Sequence, residues 1–176
     1  YFTANAHEKW LLHTWSLSVE WQFYLLYPIT LLVLSRFVAL RNLRWWILGG
    51  SVIGFALCVF ASARWPEASF YLLPTRAWEL LLGGVACLFP FKLRSAQKRI
   101  LEGVGLALML AGFFLVSVQD LWPGYLVLLP VLGTFAVIIA ARQDSFLTTN
   151  ALSQWTGKLS YSLYLWHWPV VVLMNY

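Results

Sequence analysis

Three apolar runs in this chain are too long and too uniformly apolar for ordinary surface helices. Trp46–Ala63, Ile100–Val118 and Leu126–Ala141 carry one ionisable acid or base between them, Glu102. A segment crossing about 30 Å of hydrocarbon needs roughly 17–25 such residues. With no water to bond the backbone, it must satisfy its own N–H and C=O groups, which an α-helix does. Six stretches qualify: Leu12–Ser35, Trp45–Ala63, Phe70–Phe91, Ile100–Val118, Leu121–Ala141 and Leu159–Tyr176. The expected fold class is therefore all-α, a polytopic transmembrane helix bundle with about six spanning helices. Composition agrees: 61% of the residues are hydrophobic and 11% charged, against about 45–50% and 25% in soluble domains.

The chain opens on YFTANAHEKW, which reads as a loop, and closes inside an apolar helix at Tyr176. The expectation is one partial domain, residues 1–176, truncated at both ends. Cys58 and Cys87 sit singly in apolar spans, a spacing that suits packing and offers neither a disulfide framework nor a metal site.

Charge sets the orientation. The connection after the first span holds Arg36, Arg41 and Arg44 with no acid, and the third holds Lys92, Arg94, Lys98 and Arg99. The second is neutral, with Arg64 and Glu67, and the fourth has only Asp120. Lys and Arg gather on the cytoplasmic side of short loops. The odd-numbered connections are thus inside, and the segment before the first span is outside. The net charge of +5 is an orientation signal that needs no nucleic acid to explain it. Trp15, Trp45, Trp46, Trp65, Trp122 and Tyr125 fall near the span ends, where amphipathic rings prefer the interface.

Several residues are costly in lipid. In LLHTWSLSVEWQFYLLYPITLLVL, His13, Ser16, Glu20, Tyr24 and Tyr27 recur at steps of three and four and form one stripe of a helix. Glu20 either faces a polar cavity or snorkels to the interface. His13 tops the stripe, as interfacial packing or as the mouth of a site, whereas His7 reads as a solvated loop residue. The third span, FYLLPTRAWELLLGGVACLFPF, holds Pro74, Arg76 and Glu79. Only Trp78–Phe89, roughly 18 Å, is clean helix, so this span is expected to be broken near Pro74–Arg76. Arg76 and Glu79 are either a structural ion pair or a clamp for an anionic substrate. In GKLSYSLYLWHWPVVVL, Ser160, Tyr164 and His167 share a face. His167 is then a proton relay, an acid–base group or a satisfied core histidine.

The strings LLHTWSLSVEWQFYLLYP, FYLLPTRAWELLLGG, WPGYLVLLPVLGT and GKLSYSLYLWHWP, in this order, resemble blocks of the acyltransferase 3 family of integral-membrane O-acetyltransferases. The resemblance implies a bundle of about ten spanning helices, of which this chain is helices four to nine. It implies transfer of an acetyl or other acyl group from acyl-CoA to a hydroxyl of an extracytoplasmic glycan or lipid-linked saccharide. Acceptors in the family include lipopolysaccharide and peptidoglycan, and the setting is the bacterial inner membrane, multi-pass. It also implies that the family's catalytic histidine lies upstream of Tyr1. On this reading Glu20 and His167 are catalytic candidates. His13, Ser16, Tyr24, Arg76, Glu79, Ser160 and Tyr164 are candidates for substrate binding. No bound cofactor or metal is expected. The same broken helix and intramembrane charges would also suit a transporter or flippase of a lipid-linked glycan.

Overall fold

The computed structural model describes residues 10–89, 91–117 and 120–174; His7 lies outside the described residues. Their regular structure is entirely helical. A 3-10 turn, Leu12–Thr14, leads into α1 (Trp15–Phe37) and α2 (Leu40–Arg64). Then come α3 (Pro66–Tyr71), α4 (Leu73–Leu88), α5 (Ser95–Leu115), α6 (Leu128–Ala140), α7 (Phe146–Thr149) and α8 (Ala151–Met174). Contacts divide the chain into two compact units. One comprises residues 1–18 and 142–176, the other Val19–Ala141.

Two stretches, Leu12–Phe37 and Arg41–Arg64, are long and apolar enough to cross a membrane, and Leu128–Ala140 is apolar but shorter. The expected fifth span is cut to 13 residues because Leu121–Val127 is not regular helix. Gly124 there takes φ +36°, and a Cβ on it would lie 2.1 Å from the Leu121 carbonyl oxygen, so only glycine fits. Its N–H donates to Ser62 Oγ at 3.2 Å, which fixes the turn against α2. The last helix starts eight residues earlier than the apolar run suggests, because Ala151–Lys158 is polar but helix-compatible.

In the larger unit the expected broken span is two helices, α3 and α4, and the break falls at Leu72 (φ −91°, ψ 141°). Pro74 sits in the first turn of α4, where a missing N–H costs nothing. The interruption expected near Pro74–Arg76 therefore falls two residues before the proline. Thr75 stabilises the break. Its buried hydroxyl lies 2.7 Å from the Ser69 carbonyl and 2.8 Å from that of Leu72, covering carbonyls that the helix end leaves open.

Small residues bring the helices close. A Cβ on Gly54 of α2 would stand 2.9 Å from Trp78 Cβ on α4. Trp78 is almost fully buried and meets Phe55 edge-on at 4.9 Å, with Cys58 and Val127 in the same cluster. A second cluster, Leu43, Ile47 and Val85, takes Tyr27, Leu31 and Leu34 from α1. At that end Trp45 meets Phe89 at 5.2 Å. The start of α2 and the end of α4 are thus neighbours, and the two basic connections lie at one end of this unit. The α5–α6 hairpin crosses at glycine. A Cβ on Gly105 would be 2.6 Å from the Gly133 carbonyl oxygen, and one on Gly133 2.6 Å from that of Gly105. Such close approach supplies the dispersion contacts that hold the pair.

Gly133→Ala should therefore destabilise the complete protein by about 1–3 kcal/mol, read as a lower unfolding temperature in detergent. Gly103→Ala on the same hairpin meets nothing within 4 Å and should be neutral or slightly stabilising. Equal effects from the two would contradict the glycine-mediated crossing.

Candidate functional site

In the smaller unit the start of α1 and the middle of α8 are joined by a polar cluster. Tyr164 donates its hydroxyl proton to the His13 carbonyl. Ser16 Oγ lies 2.5 Å from the same phenol oxygen. A carbonyl only accepts and a phenol has one proton, so the direction is settled. Ser16 donates to Tyr164, and Tyr164 donates to His13. Tyr164 is thereby a tether between the 3-10 turn and α8, with no proton left to give.

Three rings close around this tether. His13 lies 5.3 Å from Tyr164 and 5.3 Å from His167, edge-on to both, and Tyr164 is 5.5 Å from His167. His13 is 2% exposed, and neither of its ring nitrogens has a hydrogen-bond partner. Pro169 has no N–H to offer the Leu165 carbonyl. That backbone group interacts with the His13 ring, outside hydrogen-bond geometry.

His167 is exposed, and its Nδ1 is 2.5 Å from the Tyr164 carbonyl. Because the carbonyl accepts, Nδ1 carries the proton. In the neutral ring this leaves a lone pair on Nε2. An imidazole whose tautomer is set by one nitrogen can take a proton at the other.

The larger unit holds a second polar locus. Arg76 Nη2 is 3.4 Å from Glu79 Oε2, both side chains being about four-fifths buried. The Arg76 guanidinium also lies 5.8 Å from the Phe70 ring. The pair sits on a cavity of about 380 Å³ between α4 and α6, lined further by Trp122, Pro130, Thr134 and Phe135. A long i,i+3 pair of this kind is a modest stabiliser. Glu79 Oε1, buried without a hydrogen-bond partner, is a cost.

Of the residues singled out in the sequence, His13, Ser16, Tyr164 and His167 come together, and Arg76 and Glu79 pair at the cavity. Ser160 stands apart: its hydroxyl is exposed and donates to Gly157 O at 2.7 Å. Glu20 is half-buried and Tyr24 exposed on α1. Tyr27, from the same stripe, stacks on Phe23 at 5.0 Å and belongs to the packing. Thr75 went unnoticed in the sequence; a hydroxyl right after Pro74 in an interrupted span was the available signal. Among the described residues no three His, Cys, Asp or Glu side chains gather as metal ligands.

A helical chain with membrane-length apolar helices and an imidazole–phenol cluster is consistent with an integral-membrane enzyme. Residues 2–176 match the model of the acyltransferase 3 family, described as an acyltransferase domain, and the chain belongs to that family. It is 33% identical to the O-acetyltransferase OatA of Staphylococcus aureus over 99% of its own length and 32% of that protein's. It is 29% identical to BcsY of Komagataeibacter xylinus, a candidate membrane-bound transacylase, over its whole length and 45% of that protein's. The chain thus spans between about a third and a half of these relatives. No solved structure matches it.

Tyr164→Phe removes both bonds of the tether and should cost about 1–2 kcal/mol of stability. Ser16→Ala added to that variant should cost little more, a coupling that a double-mutant cycle of unfolding free energies would reveal. Strict additivity would show that the two hydroxyls are not bonded to each other.

Proposed function

We propose that this chain is part of a multi-pass O-acyltransferase of the bacterial inner membrane. It would move an acetyl or other acyl group from acyl-CoA to a hydroxyl of an extracytoplasmic glycan or lipid-linked saccharide. Family membership and the similarity to OatA support the reaction class. The single observation that carries a site for it is His167, with Nδ1–H on a backbone carbonyl and Nε2 unencumbered.

The chemistry asks for little more at this locus. With the family's catalytic histidine expected upstream of Tyr1, Nε2 of His167 is proposed to take the acceptor O–H proton, directly or by relay from that histidine, as the acceptor oxygen attacks the thioester carbonyl. The C–S bond then breaks, and the proton passes from the imidazolium to the departing thiolate, yielding an ester and free CoA. A positioned base contributes typically about 10²–10⁴-fold to such a step. Tyr164 and Ser16 hold the turn that carries His13, and His13 packs edge-on against the His167 ring, so these three are positioning residues. Arg76 and Glu79, facing a cavity in the size range of small-ligand pockets, are proposed to bind substrate. Glu20 is proposed to act on the acceptor side, since a carboxylate on a spanning helix is costly without a polar partner. The α3–α4 break is the feature that would favour a transporter or flippase of a lipid-linked glycan instead.

Reconstituting the complete protein in proteoliposomes with labelled acetyl-CoA and a glycan acceptor separates these readings. The wild type should transfer label covalently to the glycan. His167→Ala should lower that transfer about 10²-fold or more while leaving insertion intact. Glycan translocation without covalent label would establish the transporter, and full transfer by His167→Ala would remove His167 from the chemistry.

A further inference from the structure

The inner end of the larger unit gathers cations that the acyl-transfer reading does not use. Arg36 comes from the last turn of α1, and Arg41 and Arg44 from the first turns of α2. Lys92, Arg94, Lys98 and Arg99 come from the α4–α5 connection and the first turns of α5. The Trp45–Phe89 contact at 5.2 Å and the Arg44 guanidinium, 5.4 Å from the Phe89 ring, bring the two sets to one end. The stretch 36–48 contains no acid, and the second set is followed on α5 by one, the buried Glu102, so seven positive charges stand at this end against a single carboxylate.

Arg44 is the distinctive member. Its guanidinium lies against two rings, Trp45 at 5.7 Å and Phe89 at 5.4 Å, and its Nε is buried without a hydrogen-bond partner. A cation held between aromatic faces is pre-oriented. Among the described residues no ion pair is formed by Arg44, and its planar fork of donors suits an external oxyanion. Of the rings at this end Trp45 is exposed, as is Phe91, which lies 6.4 Å from Phe89, and an exposed aromatic rim of this kind rests at the depth of lipid headgroups.

We propose that this rim is a binding site for the phosphate headgroup of an anionic phospholipid, with Arg44 as its anchor. Clusters of four to eight Lys and Arg just cytoplasmic of a spanning helix attract such lipids at about 1 kcal/mol per charge. A lipid is favoured over a soluble phosphate compound by the exposed rings, which would lie alongside acyl chains. The positive-inside bias explains the sign of these loops but not an arginine flanked by two rings with its Nε buried and unbonded. The proposal is independent of the acyl-transfer reading, because it rests on helix ends and charge alone.

The test uses the complete protein, equilibrated with equal amounts of phosphatidylglycerol and phosphatidylcholine and examined by native mass spectrometry for retained lipid. Phosphatidylglycerol should be retained in preference, less so at high salt. Arg44→Gln should weaken its retention about five-fold, the equivalent of one charge. Arg44→Lys should keep part of it, having charge without the planar fork. As the ratio of the two lipids is read within one sample, partial loss of folded protein does not mimic the result. Equal retention of both lipids, or an unchanged ratio in Arg44→Gln, overturns the proposal. So does full displacement of phosphatidylglycerol by millimolar inorganic phosphate, which would assign the rim to a soluble phosphate compound.

Discussion

In hydrocarbon a polar group has only the protein to bond with, and this constraint organises the helices described here. Most hydroxyls in the spans settle locally. Ser51 donates to the Ile47 carbonyl, Ser62 to that of Cys58 and Thr30 to that of Leu26. Such back-bonds remove the cost of the hydroxyl without joining two helices. The tether from Tyr164 to His13 is different, because it crosses between elements 151 residues apart in sequence. It places an imidazole ring where two others can pack against it.

What remains unpaired is correspondingly informative. The ring nitrogens of His13, one oxygen of Glu79, the Nε of Arg44 and the indole nitrogen of Trp78 are buried without a hydrogen-bond partner. Buried polar groups are ordinarily satisfied, so each exception calls for a reason. Those at His13 and Glu79 lie in or beside the two loci proposed for acyl transfer. That of Arg44 lies at the basic end, where an external anion would complete it.

The sequence reading of helical spans followed from one physical fact, the length of helix needed to cross hydrocarbon; the regular structure of the described residues is all helical, but two of the helices, not six, are long and apolar enough to span. Where it failed, backbone chemistry intervened. Leu121–Val127 was counted as span because it is apolar, but Gly124 and its bond to Ser62 make it a turn. The break expected near Pro74–Arg76 falls at Leu72, because a proline in the first turn belongs to the helix that follows. Side-chain convergence was only partly legible. The steps of three and four put His13 beside Ser16 and Tyr164 beside His167, but nothing local says that the two pairs meet. That depends on a phenol reaching a carbonyl across the fold. Periodicity likewise put Ser160 with Tyr164 and His167, though its hydroxyl turns back to its own helix.

The central claim is that His167 presents an unprotonated Nε2 because Nδ1–H is held by the Tyr164 carbonyl. Nitrogen NMR on the complete protein, with histidine labelled at both ring nitrogens and His167 assigned by substitution, reads the tautomer directly. At a pH where the ring is neutral, the proton should reside on Nδ1, with Nε2 showing the resonance of a bare nitrogen. A proton on Nε2 instead would contradict the general-base geometry and leave His167 a packing residue.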